Sequence, residues 1–97
     1  MKELRILLEA KEEMIASAKY YDKKAPDLGN EFLDEINRIV DEIAISPNRW
    51  PIIESNIRRV ILKRFPYSIF YIEKEKEIII LAIAHQKRRG YYWKKRI

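Results

Sequence analysis

The sequence predicts an α+β fold: an N-terminal strand, an antiparallel helical hairpin, then a three-stranded antiparallel sheet segment with the helices packed on one face. Three observations carry this. Apolar residues recur at helical spacing in two neighbouring stretches before residue 46. The stretch "SPNRWP" then interrupts the pattern with two prolines. Beyond it, runs rich in Ile, Val, Phe and Tyr are separated by short breaks, as in antiparallel strands.

Taken in order, "LRILL" is a short apolar run ahead of a helical pattern, so residues 3 to 8 are expected to be a strand. From Glu9 the period changes. Ala10, Met14, Ala18 and Tyr21 mark one face of a helix that must stop before Pro26. "KKAPDLGN" is the break, with Asp27 as the expected N-cap of a second helix. Leu28, Phe32, Ile36, Ile39, Val40 and Ile43 form its apolar stripe, and it should end near Ser46 and Pro47. A connector this short folds the helices back as a hairpin. In "IRRVILKRF", Ile57, Arg59, Ile61 and Lys63 alternate with Arg58, Val60, Leu62 and Arg64 along a half-buried strand. Residues 67 to 72 and 77 to 84 are two further strands around the charged "EKEK" turn, and Pro66 belongs at a strand junction, because it has no N–H to donate.

Ninety-seven residues make one domain, expected to span 1–97, with 47% hydrophobic residues to form one core. The lack of cysteine excludes disulfides and thiolate metal sites, and one histidine is too few for a conventional zinc site, so no metal or cofactor is expected. No apolar run reaches the roughly 18 residues of a membrane span, and the charged start does not resemble a signal peptide, so a cytoplasmic protein without membrane attachment is expected. Charge is unevenly placed. Residues 1–50 carry 8 Lys/Arg against 11 Asp/Glu, whereas residues 51–97 carry 12 against 4. That second half favours polyanions or acidic protein segments.

Helices on one sheet face leave the other for these basic side chains. Lys63 or Arg64, with Arg58 or Arg59, can project there, and His85, Lys87, Arg88 and Arg89 would join them if the chain leaves the last strand along the sheet end. Tyr91, Tyr92 and Trp93 add flat rings, which suits phosphate pairing and base stacking on single-stranded RNA. Trp93 and Trp50 are expected to serve packing. His85 is the one imidazole, the side-chain type that can pass protons in general acid–base cleavage of RNA; hydrogen bonds that merely fix the tail are its structural alternative. The final "KKRI" reads as a solvated end.

"KRFPYSIFY", "AHQKRRGYYW", the "AKYYDKKAPDLGNEFLDEI" hairpin and the element order together resemble the RelE/ParE superfamily of toxins from type II toxin–antitoxin systems, often described as plasmid stabilisation proteins. The resemblance covers nearly the whole chain. It implies a toxin neutralised by a cognate antitoxin laid over its surface. It also implies one of two activities: metal-independent cleavage of ribosome-bound mRNA, or inhibition of DNA gyrase by protein binding without chemistry. Fold alone does not choose between them. The residues favour the endonuclease, with His85, Arg64, Arg88 and Tyr91 as the catalytic set and Arg58, Arg59, Lys63, Lys87, Arg89 and Tyr92 holding RNA phosphate. Against it stands Ser68, where RelE-like nucleases commonly place an arginine.

Overall fold

A computed structural model describes residues 2–88 and 90–97. β1 (Glu3–Ile6) leads into α1 (Leu8–Lys24) and α2 (Leu28–Ile45), followed by β2 (Ile52–Glu54), β3 (Ile57–Ile61), β4 (Tyr67–Glu73) and β5 (Glu77–His85); a short 3-10 helix, Tyr92–Arg96, follows. The sheet order is β1-β5-β4-β3-β2. Among the described residues only β1 pairs in parallel, Glu3 opposite Glu77 through Ile6 opposite Ile80. The three expected antiparallel strands are β3, β4 and β5. β2 adds a short outer edge, turned back onto β3 through Ser55, whose φ of 50° lies in the left-handed region. Three residues with an exposed Ile52 give too little alternation to announce themselves in sequence.

The helical hairpin closes on a contact that differs from the expected cap. Asp27 occupies the N-cap position of α2 with φ 63° and makes no side-chain cap. Asp22, at the end of α1, performs that role instead: its Oδ1 accepts the Gly29 N–H at 2.8 Å. A carboxylate there also complements the positive end of α2. Gly29 is required because a Cβ would meet the Ala18 carbonyl oxygen and lie 2.6 Å from Asp22 Oδ1.

α2 delivers its stripe as expected, burying Phe32, Ile36, Ile39, Val40 and Ile43 against the sheet. At one end of that core Phe65 meets Tyr21 and Phe32 edge to face, and Tyr67 meets Phe32 in the same way. The opposite sheet face is not bare. Ile57, Ile72, Ile79, Leu81 and Ala82 form a second apolar cluster beneath Trp93, which is only 1% exposed. A bulge in β5, between the Phe70 and Tyr71 pairings, lets the consecutive Leu81 and Ala82 both join this cluster. The bulge has a consequence downstream: it returns Ile83, and with it His85, to the helix side of the sheet. Pro66 sits at the β3–β4 junction as expected, its carbonyl accepting Gln86 N–H at 2.8 Å. Among the described residues no helix is long and apolar enough to cross a membrane.

Candidate functional site

A groove of about 520 Å³ runs over the sheet face opposite the helices. β3 and β4 supply its floor through Arg59, Ile61, Ser68 and Phe70; the chain after β5 supplies its wall through Arg88, Gly90, Tyr92 and Trp93. Strand alternation explains Arg59. It shares a face with Ile57 and Ile61, and its register partner is Phe70. Among the described residues Arg59 has no carboxylate partner. Ser68 lies in the same floor, 7% exposed.

Of the expected site residues, Arg59, His85, Arg88 and Tyr92 line this groove, and the other described ones do not gather there. Arg58 points to the helix side and donates to the Trp50 carbonyl at 2.6 Å. Lys63 flanks a cleft beside Glu35, Arg38 and Glu42 of α2. Arg64 pairs with Glu31 of α2 and lies 5.2 Å over the Phe65 ring, because alternation and the end of β3 turn it towards the helices. Lys87 is an exposed turn residue, and Arg89 falls outside the described residues. Arg88 lines the groove, but its Nη1 is 3.6 Å from Glu13 Oε2 and its guanidinium stacks 3.8 Å above Tyr92. Tyr91 is 48% exposed, with the Lys94 ammonium over its ring.

His85 is at the rim. Its ring packs edge-on against Tyr67, its register partner, with centroids 5.0 Å apart, and Nδ1 accepts the Lys87 backbone N–H at 3.0 Å. Its carbonyl accepts the Arg88 N–H at 2.9 Å. Both main chain and side chain therefore shape the turn that launches the tail. On its helix side His85 borders a second cleft lined by Glu9, Glu12 and Glu13 of α1, so the fold brings carboxylates near it that sequence neighbours did not.

The tail is fastened at one point that sequence reading passed over. Glu13 on α1 accepts Arg96 Nη1 at 2.9 Å on Oε1 and Arg96 Nη2 at 3.0 Å on Oε2. Oε2 also accepts the Tyr92 hydroxyl, and Oε1 the Ile83 N–H at 3.0 Å. Arg96 is not part of a solvated end: its side chain, like that of Glu13, is 13% exposed. Burial first, and then this hydrogen bond, push the Tyr92 hydroxyl well above the ordinary tyrosine range, so it stays protonated as a donor. The same carboxylate raises Arg96 further. On the other side Lys94 pairs with Glu54 of β2 at 2.9 Å. These partners are far apart in sequence, and no local motif announces them.

The helical hairpin on one sheet face and the Arg59 groove on the other describe a small α+β domain, and sequence assigns it to the toxins of type II toxin–antitoxin systems. Residues 4–90 match the family described as "ParE toxin of type II toxin-antitoxin system, parDE"; the chain belongs to the ParE toxin family. Among solved structures it is similar to one titled "Chromosomal ParDE TA system from P. aeruginosa", with a TM-score of 0.78 and 25% identity, covering 88% of this chain and 96% of that one. No curated protein gives a significant match.

Proposed function

We propose that this toxin inhibits DNA gyrase by binding to it, without chemistry, and that a cognate antitoxin neutralises it. The observation that carries the reading is the dispersal of the cations. Metal-independent RNA cleavage needs several cations and a proton-transfer group around one phosphate. Here Arg64 is held by Glu31, Arg58 by a loop carbonyl and Arg88 by Glu13 and Tyr92, which among the described residues leaves Arg59 as the groove arginine without an acid. Ser68 supplies no charge. Tyr92, a ring expected to face RNA, donates its hydroxyl to Glu13. Arg59 beside Ser68, Phe70 and Ile61 suits protein recognition: an anchor for an acidic side chain within a partly apolar surface. Membership of the ParE family, and the ParDE complex named in the similar structure, support both the gyrase target and the antitoxin.

The competing reading, ribosome-dependent mRNA cleavage with His85 as acid or base, predicts a different product. Purified toxin is added to a gyrase supercoiling reaction and, in parallel, to translating ribosomes with mRNA ends mapped. Inhibited supercoiling with intact mRNA is the expected result. New mRNA ends that vanish in His85→Ala, with supercoiling untouched, would overturn the proposal.

A further inference from the structure

We propose that Glu13, on the first helix and outside the groove, is the positioning residue that sets the groove's shape by latching the C-terminal segment. Two features lead there. β1 ends at Ile6, opposite Ile80, and Leu7 N–H donates to the Ile80 carbonyl, so among the described residues no strand covers the edge of β5 beyond that point. An uncovered strand edge leaves N–H and C=O groups without partners. Here Glu13 takes the Ile83 N–H at 3.0 Å, and Arg96 gives Nη1 to the Leu81 carbonyl at 2.9 Å. The ion pair thus occupies the place of the next strand, and it exists only when the tail is docked.

The second feature is what that docking builds. Tyr92 and Trp93 form the groove wall, and both lie in the short helix that Arg96 closes. Glu13 holds Tyr92 by its hydroxyl, Arg96 by two nitrogens and Arg88 by a longer contact. Tyr91, just before that helix, has φ 65°, a conformation a tyrosine adopts only under constraint. One carboxylate therefore fixes three residues of the tail, two of which line the groove. Releasing it leaves Arg59 in place and removes the wall opposite it. The part of this inference that concerns a partner rests on the gyrase reading above; the latch itself does not.

The test uses the full chain in a Trp50→Phe background, so that Trp93 is the single tryptophan. Glu13→Gln keeps the shape of the side chain and removes the charge; Arg96→Ala breaks the same latch from the tail side, so α1 is untouched. Both are compared, singly and together, by acrylamide quenching of Trp93, hydrogen exchange at the Ile83 amide, and the toxin concentration that halves gyrase supercoiling. Arg59→Ala serves as the groove control. The proposal expects faster quenching and on the order of tenfold faster Ile83 exchange in either single variant, no further change in the double variant, and weaker gyrase inhibition. Quenching and exchange unchanged in Glu13→Gln would overturn it, as would additive effects in the double variant. A released tail with full inhibition, while Arg59→Ala is impaired, would overturn Glu13's role in the groove. A released tail with full inhibition in every variant, Arg59→Ala included, would instead overturn the groove reading and support the latch.

Discussion

Trp93→Ala removes the largest side chain of the second apolar cluster. At 1% exposure the indole is almost wholly withdrawn from water, and its ring lies 4.8 Å from Phe70 by centroid. A buried tryptophan covers about 150–250 Å², which at roughly 25 cal/mol per Å² corresponds to about 4–6 kcal/mol. That is an upper bound, because the unfolded chain already hides part of this surface. Two features lower the observed loss further. Alanine retains some burial, and the tail can detach as a unit, so the cost cannot exceed its whole docking energy. The expected loss is about 3 kcal/mol, a large share of the roughly 5–15 kcal/mol available to a domain. Urea unfolding followed by far-ultraviolet circular dichroism measures it, with Trp50→Ala alongside. Trp50 is only partly buried, against Tyr71 and under Arg49, so its truncation should cost less. A Trp93→Ala loss below about 1 kcal/mol would mean that the tail is not holding the second sheet face.

Two further outcomes follow from the helices and from the buried tyrosine. Gly29→Ala should lower stability by about 1–3 kcal/mol, despite a helix-propensity gain of about 1 kcal/mol, because its Cβ would drive α2 off Ala18 and Asp22; a raised melting temperature would refute the close approach. Burial pushes the Tyr71 hydroxyl up to about 12. The unfolded chain therefore releases that proton first, so this contribution is complete below about pH 10 and is lost between about pH 10 and 12, at roughly 1.4 kcal/mol per pH unit. Tyr71→Phe removes that slope from a series of urea titrations between those limits; identical slopes in the two proteins would contradict the assignment.

The architecture was legible where periodicity is local. The α2 stripe, the β3 alternation from Ile57 to Leu62, the Pro66 junction and the packing role of Trp93 all follow from spacing and residue type. What was not legible depends on pairing between distant parts of the chain. The parallel β1–β5 pair joins the two ends of the fold, and the Glu13–Arg96 latch bridges 83 positions. His85 is the most instructive case. Strict alternation from Ile79 puts it on the groove face, but one bulge at Leu81 turns its ring to pack on Tyr67, so that it borders both the groove and the Glu13 cleft. Arg64 also faces the helices: it continues the alternation of Val60 and Leu62 past the end of β3 and pairs with Glu31. A cluster that looks basic along the sequence is thereby split between two faces of the sheet.

That split makes a comparison of two arginines the sharpest test of a binding toxin that works through one groove. Arg59→Ala and Arg64→Ala are titrated side by side against DNA gyrase in the supercoiling reaction. Arg64 is more than half exposed in its pair with Glu31, so its loss should cost at most about 1 kcal/mol of stability and leave inhibition intact. Arg59→Ala should raise the inhibitory concentration by on the order of tenfold or more. Equal inhibition by both variants, or a loss confined to Arg64→Ala, would contradict the account.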